Sequence, residues 1–336
     1  MRLDPNSILP ANLLLPEYDR SAQKSGIVHF GIGAFHRAHQ AAYTDAAMNA
    51  GERDWGIIGV SLRSPAVAEQ LNPQDGLYSV TERSENGDKS RIIGAVQKVL
   101  VAADAPDAVV AALASADTHI VSFTITEKGY CRAPDGSLDF TQADERSAYA
   151  YLATAMRQRQ AAKLGGLTLL SCDNLASNGA QLAVLMRAYL QRCAPDLVHW
   201  FEDECSCPST MVDRIVPATT DNDRQSIAAN LGALDQAAVV TEPFTQWVIE
   251  DDFVGKRPGW EIGGAQFTKD VVPFETAKLR MLNGAHSALA YIGLQRGHAF
   301  VHQAIADPYI MALANTLMRD EAANSLQTAA GQNLAS

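Results

Sequence analysis

Gly26-Ile-Val-His-Phe-Gly31-Ile-Gly33-Ala-Phe-His36 decides the fold. A short apolar run ends in two glycines one residue apart, and a helix-compatible segment, 37–49, follows. Two such glycines let a chain turn sharply out of a strand and bring bare backbone against a phosphate. The N-terminus of the next helix then favours the phosphate charge. The unit reads as strand, turn and helix of the dinucleotide-binding kind, with Gly31, Gly33, Ala34, Phe35 and His36 as cofactor-side candidates. His36 stands where the usual G-x-G-x-x-G pattern has its third glycine, so the residues also fit an ordinary strand–helix turn.

The same alternation continues outward. Further buried-strand candidates are Trp55–Val60, His119–Thr126, Leu167–Ser171 and Ala237–Thr241. Helical stretches lie between them at Pro106–Ser115, Glu145–Lys163 and Gly179–Cys193. Short apolar strands alternating with helices predict an α/β fold with a doubly wound, mostly parallel sheet covered on both faces. Residues 255–264 read as a loop. After Pro273 the pattern changes to helix without strand, from Glu275 to Arg319. The expected organisation is a Rossmann-type domain over 1–270 and the start of a helical substrate-binding domain over 271–336. A helical domain of ~60 residues is close to the size at which a lone core becomes marginal. The second domain is therefore expected either to pack on the first or to be incomplete.

Bulk properties exclude several classes. The chain has 336 residues, 47% hydrophobic and 19% charged, so a sizeable core is expected. A net charge of -11 argues against a nucleic-acid partner. Residues 1–10 carry no basic, then apolar, leader, and the apolar windows are far short of the ~20 residues a membrane span needs. The five cysteines are irregularly spaced, which suits a reducing cytoplasm better than a disulfide framework. Cys205 and Cys207 lack a second pair, and His36 and His39 lack a carboxylate at matching spacing. No metal is expected, and the two histidines read as packing or phosphate-side hydrogen bonding.

The cofactor subtype stays open between NAD and NADP. An acid at the end of the second strand would hold a ribose 2′-hydroxyl. That strand instead ends Val60-Ser-Leu-Arg63, and Glu52 and Asp54 precede it. Arg63 suits a 2′-phosphate, and equally a solvated surface position.

The other chemistry-bearing stretch is Lys278-Leu-Arg-Met-Leu-Asn283-Gly-Ala-His286. On an α-helical wheel of about 100° per residue, His286 lies about 80° from Lys278 and Asn283 about 140° from it. All three then fan into one cleft among Leu282, Ala285 and Leu289. Burying such groups is costly unless they are paired or used. Oxidation of a secondary alcohol would use them. A desolvated lysine can take the hydroxyl proton, an asparagine amide can donate to the reacting oxygen, and a histidine can orient a substrate hydroxyl. A surface lysine, a capping asparagine and a core histidine fit the spacing as well. Asn174, after a strand candidate, is a ligand position or a helix N-cap. Asp213 is a site carboxylate or one paired with a neighbouring arginine.

Taken jointly, Gly31–His39, Thr126-Glu-Lys-Gly-Tyr130, Ser171-Cys-Asp-Asn174, Met211-Val-Asp-Arg-Ile215, Glu242–Asp251 and Lys278-x₄-Asn283-x₂-His286 resemble the long-chain polyol dehydrogenase (mannitol dehydrogenase) family. Mannitol 2-dehydrogenases and fructuronate reductases are among its members. The resemblance covers residues 26–325. It implies a zinc-independent, NAD(P)-dependent enzyme with Lys278 as general base and Asn174 and Asn283 polarising the reacting oxygen. It also implies that His286 and Asp213 bind substrate, that Glu127 assists proton exchange, and that Gly31 and Gly33 lie under the pyrophosphate. Lys128, Cys131 and the segment 209–217 are more like the fructuronate reductases. Phe300-Val-His-Gln303 and Thr241–Phe244 are more like the mannitol enzymes. The expected reaction is conversion between a keto hexuronate and its hydroxy acid, with mannitol and fructose as the alternative pair. Family members run longer than this chain, so a truncated, non-catalytic dinucleotide-binding remnant is the other alternative. Oligomeric state is not legible.

Overall fold

The computed structural model describes residues 1–327 and 332. It divides into two compact units, Met1–Phe267 and Thr268–Ser336.

In the first unit, β1 (Ile27–Phe30), β2 (Ile57–Ser61), β3 (Tyr78–Glu82), β4 (Lys89–Ile93), β5 (Val96–Val101), β6 (Ile120–Phe123) and β7 (Thr168–Ser171) come first. Then follow β8 (Thr210–Asp213), β9 (Val239–Thr241), β10 (Gln246–Glu250) and β11 (Gln266–Thr268). The main sheet has the order β5-β2-β1-β6-β7 and every pairing in it is parallel. The chain runs outward from β1 through β2 to β5, then crosses back to β6 on the other side. The strand order therefore reverses between β1 and β6, and in such sheets the ligand crevice lies beyond the carboxyl ends of the strands at that point.

Helices α1 (Ala34–Ala38), α2 (Gln40–Asn49), α3 (Ala66–Leu71), α4 (Pro106–Ala114), α5 (Thr126–Gly129), α6 (Ala148–Ala161), α7 (Asn178–Cys193), α8 (Val198–Glu204) and α9 (Asp221–Leu231) complete the unit. The strand period of two sends alternate side chains into two layers. Val28, Phe30, Val60, Val121, Phe123 and Leu169 join one core with Leu113, Leu152 and Leu185. Ile27, Ile57, Ile120 and Leu170 join the other with Ala38, Ala41 and Met48. Every residue of β1, β6 and β7 is buried, as a sheet covered on both faces requires.

One sequence expectation is corrected here, and one is extended. Ala237–Thr241 contributes β9, but β9 pairs parallel to β3 in a separate three-stranded sheet, β4-β3-β9, not in the main one. The stretch read as a loop, 255–264, carries a buried side chain. Trp260 is 1% exposed, lies 4.5 Å from the Trp247 ring and donates from Nε1 to Thr44 Oγ1 at 3.0 Å. A third small sheet has the order β11-β10-β8.

The second unit is helical among its described residues. It comprises α10 (Val272–Ala277), a π-helical turn (Lys278–Asn283), α11 (Gly284–Gln295), α12 (Val301–Ala306), α13 (Pro308–Thr316) and a second π-helical turn (Leu317–Ala322). Its own core is small: Leu289, Ala304, Ile310 and Ala314. Among the described residues, no helix is long and apolar enough to cross a membrane.

Candidate active site

The glycine turn closes β1. Gly31 has φ +90, and a Cβ there would lie 2.1 Å from the Thr124 carbonyl oxygen. Only glycine fits both the dihedral and the space. Its N–H donates to Val60 O at 2.9 Å, and its own carbonyl accepts from Thr124 Oγ1 at 2.7 Å. The turn is thereby tied to β2 and to the end of β6, the two strands that flank β1. Gly33 differs. It is exposed, extended at the N-cap of α1, and a Cβ there would meet nothing nearer than Gly31 O at 3.8 Å. Nothing in the protein demands a glycine at 33, so the bare backbone there is available to a group from outside.

His36 does not face a cofactor. It is fully buried, and its ring stacks on His29 with centroids 3.4 Å apart. Neither ring nitrogen meets hydrogen-bond geometry with any neighbour. Burial pushes both histidines far down, His29 to about 3, so the pair is neutral. His29 is held by Ser122 Oγ and Thr124 Oγ1, each at 2.8 Å. His39 is also a packing residue, with Nε2 2.8 Å from Gln246 O. The pair thus supports the glycine turn from below rather than contacting a ligand. Ala34 and Phe35 are half-buried, and Phe35 stacks on His39.

Beyond the strand ends lies an open cavity of about 760 Å³, lined by Gly31, by Ser61–Ser64 at the end of β2, and by residues after β6. Its charged lining is Arg63, Lys128 and Arg146 against the single carboxylate of Asp144. On a chain of net charge -11, a cationic cavity at the switch point suits anionic groups, phosphate or carboxylate. Arg63 is exposed at the end of β2. There Ser61 Oγ donates to Ser64 O at 2.6 Å and shapes the turn. Among the described residues no group of three or more His, Cys, Asp or Glu side chains is placed to hold a metal.

Asp173, which the sequence reading passed over, organises the far wall. Its carboxylate accepts the Ile125 N–H at 2.9 Å, the Thr126 N–H at 3.0 Å and the Tyr130 hydroxyl at 2.9 Å. Tyr130 Oη is also 2.6 Å from Ser171 Oγ. Burial raises the Asp173 carboxyl, and these donors partly offset the rise. Thr126 has φ +61, a conformation that a β-branched residue adopts only under constraint. Glu127, the next residue, is exposed on α5.

Asn174 follows Asp173 in the exposed turn after β7 and is not a helix cap; the N-cap of α7 is Ser177. Asp213 is half-buried at the end of β8, and the neighbouring Arg214 pairs with Glu82 at 2.7 Å. Buried Asn178 joins the two segments. Its Nδ2 donates to Asp173 O and Thr210 O, both at 3.0 Å, and its Oδ1 accepts the Thr210 N–H at 2.9 Å.

Lys278, Asn283 and His286 belong to the second unit and are half-buried rather than enclosed. The 100° wheel misplaces them. Lys278 opens and Asn283 closes a π-helical turn, whose i→i+5 bonding sets residue 283 one turn above residue 278. His286 follows Asn283 by three residues on α11, again on the same face. The three side chains therefore share a stripe, where the wheel had spread them over about 140°. Single π-turns of this kind recur at functional sites.

The chain is similar to several known proteins. The chain is 41% identical over 345 residues to D-mannonate oxidoreductase of Escherichia coli, covering 98% of this chain and 71% of that protein. It is 40% identical over 328 residues to mannitol 2-dehydrogenase of Pyrenophora tritici-repentis, covering 92% of this chain and 58% of that protein. A solved ternary complex of Pseudomonas fluorescens mannitol 2-dehydrogenase with NAD and D-mannitol matches with a TM-score of 0.89 and 38% identity, covering 100% of this chain and 72% of that one. The mannitol dehydrogenase Rossmann-domain model matches residues 25–262 and the mannitol dehydrogenase C-terminal-domain model matches residues 270–336. The chain belongs to the mannitol dehydrogenase family of nicotinamide-dependent secondary-alcohol dehydrogenases.

Proposed function

We propose that this protein interconverts a keto hexuronate, fructuronate, and its hydroxy acid, D-mannonate, with NAD as hydride carrier. The observation that carries the chemistry is the π-turn that stacks Lys278 and Asn283 on one helix face. In this reading Lys278 Nζ takes the hydroxyl proton, and NAD held at the glycine turn would supply the hydride acceptor. Asn283 and Asn174 donate to the oxygen as it becomes a carbonyl. His286 and Asp213 orient neighbouring hydroxyls, and Glu127 exchanges the proton with water. Gly31 and Gly33 admit the pyrophosphate, and Arg63 faces the adenosine ribose. The division of roles is Rossmann-type positioning by residues 1–270 and proton acceptance by residues 271–336.

Similarity alone leaves hexuronate and hexitol level, at 41% and 40% identity. Lys128 favours the hexuronate. It stands beside Glu127 on the turn lining the cavity, where an ammonium can pair with a carboxylate that mannitol lacks. The test is oxidation of NADH with fructuronate and with fructose in parallel. Turnover with fructuronate that Lys278→Ala abolishes supports the assignment, and turnover with fructose alone replaces it with the mannitol reaction. NADH binding with no turnover on any ketose or keto acid supports a dinucleotide-binding protein without catalysis.

A further inference from the structure

We propose that Asp173 is a positioning residue for the dinucleotide cavity, and the inference rests on the cofactor reading above. Its carboxylate clasps the Ile125 and Thr126 amides and the Tyr130 hydroxyl. It thereby holds the 125–130 turn in a strained form that walls the cavity and presents Glu127.

The turn has a reason to leave that form. Thr126 at φ +61 and Cys131 at φ +50 are both non-glycine residues in the left-handed region, and such conformations persist only where surroundings over-determine them. Asp173 supplies the constraint from the turn after β7, 47 residues along the chain from Thr126. The backbone on each side of the clasp is itself held. Asn178 Nδ2 donates to the Asp173 carbonyl at 3.0 Å, and Tyr149 Oη donates to the Tyr130 carbonyl at 3.0 Å. The constraint reaches the glycine turn as well. Thr124, one residue before the clasped amides, donates to Gly31 O, and its own carbonyl is what a Gly31 Cβ would strike. Ile125, Thr126, Lys128, Gly129 and Cys131 all line the cavity. An acceptor-only carboxylate suits three donors. An asparagine at 173 would turn an NH₂ toward at least one of them.

Asp173→Asn should weaken NADH binding, read by protein fluorescence, by about tenfold, the scale of one lost hydrogen bond to a charged group. Adding Thr126→Gly should recover most of that loss, measured against Thr126→Gly alone, because glycine adopts φ +61 without restraint. A purely structural role would leave the double variant as weak as Asp173→Asn. If Asp173→Asn does not fold, Tyr130→Phe serves instead. It removes one of the three donors, and the expected loss is about threefold, again recovered by Thr126→Gly. NADH affinity unchanged in the folded variant, or a loss that Thr126→Gly does not recover, overturns the proposal alone. No NADH binding by the unaltered protein overturns the cofactor reading and this proposal with it.

Discussion

His29 and His36 stack face to face, 3.4 Å between ring centroids, directly under the glycine turn. Both are buried and both are held neutral by desolvation. The unfolded chain binds protons on these rings below about pH 6.5, and the folded chain refuses them until far lower. Their contribution to stability is therefore complete above pH 6.5 and is lost progressively as the pH falls below it. The limiting slope is about 1.4 kcal/mol per pH unit for each histidine. His36→Phe keeps a ring on His29 and removes a titratable imidazole. Urea unfolding at pH 7 and pH 5 should show a shallower acid loss in the variant. An equal loss in both proteins would mean that His36 does not carry the acid limb.

The two glycines should separate fold from function. Gly31→Ala forces a Cβ against the Thr124 carbonyl at a positive φ, and it should destabilise the protein by about 3 kcal/mol or more. Gly33→Ala meets open space at an ordinary dihedral, so its stability should change by less than about 1 kcal/mol. If a pyrophosphate rests on that backbone, the same variant should bind NADH at least about tenfold more weakly. Thermal melts and NADH titrations on both variants check the pair. Full NADH affinity in Gly33→Ala would remove the pyrophosphate from residue 33.

The sequence makes some of this plain and conceals the rest for identifiable reasons. β1, β2, β6 and β7 are legible because both faces are buried and the residues are almost all apolar. β3 is not. Its Ser79 and Thr81 are buried polar residues, satisfied by Asp235 at 2.7 Å and Ser90 at 2.8 Å, and Asp235 lies 156 residues away along the chain. A local pattern cannot announce a partner at that distance. Gly31 is legible because a strand followed by a glycine turn is a local event. Asp173 lies within Ser171-Cys-Asp-Asn174, but its donors lie in the 125–130 turn after β6, remote in the chain. The angular relation of Lys278, Asn283 and His286 is not legible either, because it depends on a π-turn in place of an α-turn. Nothing in Lys-Leu-Arg-Met-Leu-Asn distinguishes a π-turn from an α-turn by composition.

Lys128 should discriminate between substrates. An ammonium paired with a carboxylate contributes to a hexuronate and nothing comparable to a neutral ketose. Lys128→Ala should lower kcat/KM for fructuronate by about 10- to 100-fold and leave activity on fructose within about twofold. Parallel steady-state assays read the ratio directly. An equal fall on both substrates would assign Lys128 to the cofactor or to the turn itself, and the preference for a sugar acid would lose its support.

Lys278 and Asn283, bonded one π-turn apart, should behave as a unit in catalysis. Lys278→Ala removes the proposed proton acceptor and should cost about 10²- to 10⁴-fold in kcat. Asn283→Ala removes a donor to the reacting oxygen and should cost about 10²- to 10³-fold. Groups that act on one oxygen in one transition state are not independent, so the double variant should fall well short of the product of the two losses. NADH affinity should hold in all three, because the glycine turn and the cationic cavity lie in the other unit. Raised pH separates the roles further. Hydroxide can replace a missing base but not a missing amide donor, so activity of Lys278→Ala should climb with pH while that of Asn283→Ala should not. Matched pH–rate profiles decide it, and a double variant whose loss equals the full product would mean that the two side chains serve different steps.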